Sequence, residues 1–557
     1  MSRACWSGSY ARIDTAIRCR QGRRMPTLGE YLIEALAARG VRYVFGIPGV
    51  HNLELYRGLA RSTIRHVNAR HEQGLGFMAD GYARVSGRPG VCFTITGPGL
   101  TNILTAMGQA YGDSIPLLVI ASQNARGEGD RGCGFLHELP AQREMAGKVA
   151  AATFSIGSPV ELPGALEQAF NIFGAARPRP VYIEIPLDVL AMAADDLPLP
   201  NPTALLPRAA PERIQAALAL LHGARRPVVI VGGGGVRAAA EIKRMGELLD
   251  APVVMTANAR GVLAPDHPLA VPMSPMLAPV RALIAASDVV LAVGTEFGPT
   301  DYSLAMKADF PDPTGLIRID IDSEQLTRGA TPAVGLCGDA RATLTALESA
   351  GLDRKYSAQG AARAAATRVA ALQAVGEYSA AWREHIDLLN LIRDTLPAAL
   401  LVGDSTQVVY GGNLGFSPRL PGSWFNSATG YGTLGYALPA STGAGLGAPE
   451  RPVVCLVGDG GLQFSLSELA VPRDVNAWTA VVIWNNKGYG EIRTSMLAVG
   501  IEPAGVEVRP PDFSHIARAY GYAHYSVSSR QGLEAVMRAF GARRQVCIVE
   551  IMVEEFA

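Results

Sequence analysis

The stretch VVCLVGDGGLQFSLSELAVPRDVNAWTAVVIWNNKGYG, Val453 to Gly490, limits what this chain can fold into more than any other part of it. Val453 to Val457 and Ala480 to Trp484 are β-branched runs of strand length, and Gln463 to Val471 can make two or three helical turns before Pro472. A strand–helix–strand crossover makes the two strands parallel. Both apolar runs then end at one edge of an open α/β sheet, the edge where such sheets place ligands. Asp459 and Asn486 stand side by side there, offering one carboxylate and one amide oxygen to a common point. Hard oxygen ligands of that kind suit Mg2+ or Ca2+, and Mg2+ is usually completed by phosphates and water. Glycines at 458, 460, 461, 488 and 490 let backbone approach a bulky anion. An Asp or Asn alone more often caps a helix; two glycine loops at one sheet edge, each with an oxygen ligand, favour the binding reading.

Gly458-Asp459-Gly460 followed by Asn485-Asn486 resembles the diphosphate and metal motif of thiamine-diphosphate enzymes, in particular the acetolactate synthase and 2-oxo acid decarboxylase family. A second match, ARHEQGLGFMADGYARVSGRPGVCFTITGPGLTNILTAMGQAYGDSIPLLVIAS from Ala69 to Ser122, resembles the family's N-terminal domain, with Glu72 at its cofactor-activating glutamate. Read physically, Glu72 opens an apolar helical pattern (Leu75, Phe77, Met78, Tyr82), where a carboxylate needs a partner for its proton or charge; a first-turn glutamate favoured by the helix dipole is the alternative. A third match, Gly430 to Pro449, places Leu434 at the family's bulky position beneath the cofactor. The resemblance implies that Leu434 holds thiamine diphosphate bent, with its aminopyrimidine against its own thiazolium C2. It also implies that Glu72 hydrogen-bonds the pyrimidine so that the C2 proton is lost to give the ylide. Implied metal ligands are Asp459, Asn486 and Gly488 for Mg2+, and implied cofactor contacts are Gly432, Leu434, Gly458, Gly460, Gly461, Tyr489 and Gly490. Ser405, Thr406 and Gln407, where LLVGDSTQVVYGG passes from strand to helix, can offer N–H groups and hydroxyls to the terminal phosphates.

At 557 residues the chain suits three or four domains of roughly 100–200 residues. The expected fold is α/β, three consecutive doubly wound parallel-sheet domains: pyrimidine-binding (25–190), central Rossmann-like (212–350) and diphosphate- and metal-binding (378–557). Residues 191–211, with Pro198, Pro200, Pro202 and Pro207, read as a linker, and 351–377 as an Ala-rich connection. Residues 1–24 carry six arginines against Asp14 and read as a disordered or upstream-start extension rather than a transit peptide, because MPTLGEYLIEAL from Met25 resembles the family's ordinary start. Lys+Arg 50 balance Asp+Glu 50, so no global field favours nucleic acid or an anionic membrane. No apolar run is long enough to span a bilayer, and the seven cysteines are scattered, which fits a reducing cytoplasm. The family builds each site from two subunits, so a homodimer or homotetramer is implied.

The run Gly232 to Gly235, with Ala238, resembles a dinucleotide fingerprint, but the next strand ends without the acid expected for a ribose. Some relatives carry flavin in this domain; GTEFGPTDYS has Glu296 in place of the expected arginine, and flavin is not expected. In GFLHELPAQ, His137 and Glu138 fall where the synthase carries a Gln-Glu pair near substrate, making His137 a candidate proton donor or a solvated loop histidine. The substrate is expected to be a small 2-oxo acid. Ser495 stands near a tryptophan of the synthase pattern, and Glu491 replaces an apolar residue. A carboxylate there can pair bidentately with a guanidinium, or be a helix-N-terminal glutamate neutralised by the dipole or by Arg493. The expected activity is decarboxylation of a long basic 2-oxo acid, 5-guanidino-2-oxopentanoate, to 4-guanidinobutanal and carbon dioxide. The alternatives are a carboligase acting on pyruvate and a non-catalytic cofactor-binding subunit.

Overall fold

Continuous β-branched runs such as VVIV (Val228–Val231) and TAVVIWN (Thr479–Asn485) are buried along their whole length, as strands of a parallel sheet covered on both faces must be. The computed structural model describes residues 19–20, 23–129, 131–200, 206–302, 315–352 and 359–556, and the chain divides into two compact units, residues 1–205 and 206–557. Most of the extension expected over residues 1–24 lies outside the described residues; of those described, Cys19–Arg20 pairs antiparallel with Arg23–Arg24.

The first unit holds one six-stranded parallel sheet: β1 (Tyr43–Gly46), β2 (Arg65–Asn68), β3 (Gly90–Thr94), β4 (Leu117–Gln123), β5 (Ala152–Ser155) and β6 (Val181–Pro186), in spatial order 2-1-3-4-6-5. The chain leaves β1 toward β2 on one side and returns to β3 on the other. The carboxyl ends of β1 and β3 therefore flank a topological switch point, where loops diverge and leave a crevice. The helix Leu28–Ala38 starts at Thr27, whose hydroxyl accepts from the Glu30 N–H while Glu30 accepts from the Thr27 N–H. It buries Leu28, Leu32 and Leu36 against the sheet.

The second unit contains two such sheets. The central one joins β7 (Val228–Val231), β8 (Val253–Met255), β9 (Ala270–Val271), β10 (Val290–Val293), β11 (Leu316–Asp320) and β12 (Val334–Cys337) in order 9-8-7-10-11-12. The other joins β13 (Leu400–Gly403), β14 (Trp424–Asn426), β15 (Val453–Gly458), β16 (Thr479–Asn485), β17 (Ala523–Val527) and β18 (Val546–Met552) in order 14-13-15-16-18-17, the same winding as the first sheet. The three-sheet α/β architecture read from the sequence is the one observed.

Two local expectations change. The segment expected to be a connection, 351–377, carries a helix, Gly360–Tyr378, whose Ala364, Ala371 and Val375 pack on the central sheet; residues 353–358 lie outside the described residues. Small side chains at helical spacing let that helix lie close, so alanine richness here marks packing rather than a tether. Between β15 and β16 the α-helix is Asp459–Gln463, the stretch expected to be helical holds a 3-10 turn, Leu466–Ala470, and Pro472 sits in the first turn of a further helix, Val471–Asp474, where its missing N–H costs nothing.

Candidate active site

In the first unit the candidate residues come from loops at the carboxyl edge of the sheet. Glu72 is the first residue of the helix Glu72–Ser86 after β2, with the His71 ring accepting from the Gln73 N–H at 3.1 Å. Its carboxylate accepts from Asn102 Nδ2 at 3.0 Å. Asn102 reaches it because the helix Pro98–Gly112 runs close alongside: a Cβ at Gly76 would fall 2.5 Å from the Ala106 Cβ. Below, Arg84 joins the two helices through Asp80 at 2.7 Å and Asp113 at 2.6 Å, all three nearly buried.

His137 adopts the left-handed region, φ 59, and its ring stands edge-on to His51 with centroids 4.9 Å apart. His51 lies on the loop after β1 and is buried. Its Nδ1 is 3.1 Å from the Thr96 hydroxyl, and burial, then the neighbouring His137, pull its pKa down to about 4. Glu138 serves its own loop, accepting from the N–H groups of Arg131, Gly132, Gly134 and Phe135. Desolvation raises its pKa, and those N–H groups outweigh it and hold the carboxyl below its ordinary range.

In the second unit Thr406 precedes the helix Gln407–Gly415 after β13, and Asp459 opens a helix directly after β15. Only 1% of Asp459 is exposed. Burial pushes its pKa up to about 6 against the pull of N–H groups from Asn486, its own backbone, Gly460 and Gly488. The asparagine pair divides its work. Asn485 is a buttress, donating to Glu550 at 2.6 Å and accepting from the Lys487 N–H at 3.1 Å. Asn486 donates from Nδ2 to Gln407 Oε1 at 3.0 Å, and Gln407 Nε2 donates to Glu491 Oε2 at 3.4 Å. Since a carboxylate only accepts, Glu491 fixes the orientation of the Gln407 amide, and that amide fixes Asn486 with its nitrogen toward Gln407. The oxygen is then the atom Asn486 can present to a cation. Around them the glycines are steric: a Cβ at Gly460 would meet the Tyr489 ring at 2.7 Å, and one at Gly490 would meet Asn486 Nδ2 at 2.4 Å. At Gly488, φ is +157 and a Cβ would fall 2.4 Å from the Val506 carbonyl, which also accepts from the Tyr489 N–H.

Leu434 is half-buried in a turn held by a residue the sequence reading missed. Asp404 is fully buried and takes the N–H groups of Ser405 at 2.8 Å and Ala437 at 3.1 Å, together with those of Gly435 and Tyr436. Ser405 reaches the same turn through Ser427 at 3.1 Å and the Thr433 carbonyl at 3.4 Å. Asn102, His51 and Asp404 gave no sequence signal, because each acts through a neighbour distant in the chain.

Two glycine-rich loops at strand ends, a buried carboxylate and an amide turned by its neighbours make an anion and cation cradle. Known proteins decide whose it is. Residues 26–145 match the N-terminal TPP binding domain of thiamine pyrophosphate enzymes, 214–347 their central domain, and 404–551 their C-terminal TPP binding domain. This chain belongs to the thiamine pyrophosphate enzyme family. It is 45% identical over 553 residues, 98% of this chain and 97% of the relative, to a Pseudomonas aeruginosa protein named "Probable 2-ketoarginine decarboxylase". It is 31% identical over 491 residues, 84% of this chain and 83% of the relative, to the acetolactate synthase isozyme 1 large subunit of Escherichia coli. To the acetolactate synthase of Arthrospira platensis it is 30% identical over 558 residues, 90% of this chain and 89% of the relative.

In a thiamine pyrophosphate enzyme the donor set of the second unit fits a diphosphate with a hard cation: carboxylate, amide oxygen and glycine backbone, with no Cβ in the way. The central sheet's glycine run has a different explanation. Gly232 and Gly234 pack on Gly294, where Cβ atoms would lie 2.3 Å from its carbonyl and 3.0 Å from its Cα, and the Gly234 N–H donates to the Gly294 carbonyl at 3.0 Å. The fingerprint resemblance there reflects two loops in close contact.

Proposed function

We propose that this thiamine-diphosphate- and Mg2+-dependent enzyme decarboxylates 5-guanidino-2-oxopentanoate to 4-guanidinobutanal and carbon dioxide. The observation that carries the substrate is Glu491. Its half-buried carboxylate lies in the first turn of Gly490–Ala498 beside Gln407, and among the described residues it enters no ion pair. A guanidinium supplies the missing cation in a paired, planar geometry that a methyl group cannot. The similarity to a relative named for 2-ketoarginine supports the same choice.

Asp459, the Asn486 oxygen and the Gly488 backbone carbonyl hold Mg2+. Ser405, Thr406, Gln407 and the backbone of Gly432, Gly458, Gly460, Gly461, Tyr489 and Gly490 receive the diphosphate. Leu434, on the turn fixed by Asp404, supports the cofactor, and Glu72, oriented by Asn102, holds a proton at the pyrimidine. Thiamine diphosphate, when bound, supplies the sink for the electron pair left by departing carbon dioxide. Ser495, in the exposed middle of Gly490–Ala498, leaves out the bulk that the synthase pattern uses toward a second oxo acid, which favours decarboxylation over carboligation. The enzyme works in the cytoplasm as a homodimer or homotetramer, each site completed by Glu72 of another subunit. Among the described residues no helix is long and apolar enough to cross a membrane.

Glu491→Gln keeps a side-chain oxygen that can accept from Gln407 Nε2 but loses the charge, so it should weaken the guanidino substrate by about 1.5–3 kcal/mol, the scale of a charged hydrogen bond, and spare an uncharged linear 2-oxo acid. Equal losses on both would remove Glu491 from substrate recognition.

A further inference from the structure

The helix Gln407–Gly415 begins among the candidate diphosphate residues, and its other end is held by the central sheet's loops. A helix leaves its last carbonyls without partners of its own. Here the Phe416 N–H takes the Gly412 carbonyl at 2.8 Å, and the next two carbonyls are met from far away in the chain. Arg260 Nη2 donates to the Asn413 carbonyl at 3.0 Å, and the Ser274 N–H donates to the Leu414 carbonyl at 2.8 Å. Arg260 Nη1 reaches one residue further, to the Phe416 carbonyl at 2.8 Å. A Cβ at Gly415 would fall 2.9 Å from Met273 Cε, and one at Gly261 2.4 Å from the Leu420 carbonyl, so the two parts of the chain are closely packed there.

Arg260 follows β8 through the turn Ala257–Ala259 and is fully buried. Its Nε donates to the Met255 carbonyl at 2.9 Å, and Nη1 donates also to the Pro272 carbonyl. One planar fork thus ties the carboxyl ends of β8 and β9 to the end of the helix. Among the described residues every hydrogen bond of this guanidinium goes to a backbone carbonyl. Burial pulls its pKa down to about 9, against the opposing charge of Asp301. A buried charge is costly, and an apolar side chain of similar volume commonly serves stability as well or better. What the guanidinium adds is placement: a cation complements the negative pole of the helix dipole, and donors in one plane fix the direction of the helix as well as its end. At the opposite end the same helix carries Gln407, whose amide accepts from Asn486 at 3.0 Å.

We propose that Arg260 is a positioning residue for the cofactor: by anchoring the carboxyl end of Gln407–Gly415, it aims the first N–H groups of that helix and the Gln407 side chain at the diphosphate and at Asn486. This rests on the assignment of Ser405, Thr406 and Gln407 to the diphosphate made above. A helix is stiff over nine residues, so a shift at one end is carried to the other. The central domain, which bears none of the candidate site residues, thereby contributes to cofactor affinity from the far end of one helix. Lysine cannot replace arginine here, because a single ammonium cannot span carbonyls on three separate segments of chain.

The test uses full-length protein stripped of Mg2+ and cofactor, then titrated calorimetrically with thiamine diphosphate at fixed Mg2+, as Arg260→Lys, Gln407→Ala, the double variant and Val229→Ala. Val229 is fully buried in the core on one face of the central sheet, a cluster that holds no residue of the third sheet, and its variant controls for lost stability alone. Arg260→Lys should raise the Kd for thiamine diphosphate about 10-fold, the scale of one charged hydrogen bond. Its kcat at saturating cofactor and its KM for the guanidino oxo acid should stay within about 2-fold. Val229→Ala should lower Tm and leave the Kd within about 2-fold. Substitutions at distant positions with no shared partner ordinarily multiply in their effects. Here the double variant should bind no more weakly than the weaker single one, because both act through the aim of one helix. If Arg260→Lys does not fold, Arg260→Gln takes its place. An unchanged Kd in the Arg260 variant, an equal rise in Val229→Ala, or multiplied losses in the double variant would overturn the proposal. Gln407→Ala binding cofactor as tightly as the unmodified protein would overturn the diphosphate assignment and the proposal with it, whereas failure of the Arg260 arm alone leaves that assignment standing.

Discussion

Asp404 lies wholly inside the protein among backbone N–H groups, and burial still pushes its carboxyl up to about 6 from the ordinary 3.8. A raised folded-state pKa means that folding favours the protonated form. The stabilising share is full below the unfolded value and is lost as pH rises toward 6. The shift amounts to roughly 3 kcal/mol over that window. Asp404→Asn cannot titrate, so the melting-temperature advantage of the unmodified protein over this variant should be largest near pH 4.5 and shrink by pH 7. A constant gap would mean that the carboxyl does not titrate there. Retaining an ionisable group where it costs stability makes sense if two accepting oxygens are needed to hold Ser405 on one side and the Leu434 turn on the other. None of this was legible in LLVGDSTQVV, where Asp404 reads as an ordinary residue before a helix. That Asp459 and Asn486 stand at the ends of neighbouring strands could be read because the chain spells strand ends out. Asp404, Asn102 and His51 take their roles from neighbours in space.

At the scale of elements, the strands were legible and the joints between helices were not. Buried parallel strands must be apolar throughout, so their runs stand out. The helix Gly360–Tyr378 escaped because alanine serves a packed face and a solvated connection equally well. Glycine roles were also ambiguous: Gly488 relieves a backbone contact, whereas Gly76 lets two helices touch. Gly76→Ala puts a methyl 2.5 Å from the Ala106 Cβ and 3.0 Å from Ile103 Cγ1. Alanine gains about 1 kcal/mol in helix propensity, while overpacking costs about 1–3 kcal/mol, and between two packed helices the cost wins. The melting temperature of the first unit should fall by about 2–6 °C, with activity falling further as Asn102 is displaced from Glu72. A more stable Gly76→Ala protein would show that the helices can part freely.

For the whole molecule, the same winding, 2-1-3-4-6-5, occurs in the first and third sheets, each with its candidate residues on loops at the strands' carboxyl edge. The central sheet has a different order, and its glycine loops are filled by one another. If Glu72 of one subunit serves the Asp459 site of another, activity requires association. Sedimentation of the enzyme at assay concentration should show a dimer or tetramer, and an active monomer would refute shared sites. The most direct measurement for the account as a whole is a panel of 2-oxo acids given to the enzyme with thiamine diphosphate and Mg2+, scored for carbon dioxide, aldehyde and condensed product. The account predicts carbon dioxide and 4-guanidinobutanal from 5-guanidino-2-oxopentanoate, with uncharged oxo acids turned over poorly. Efficient formation of acetolactate from pyruvate, or no preference for the guanidino substrate, would contradict it.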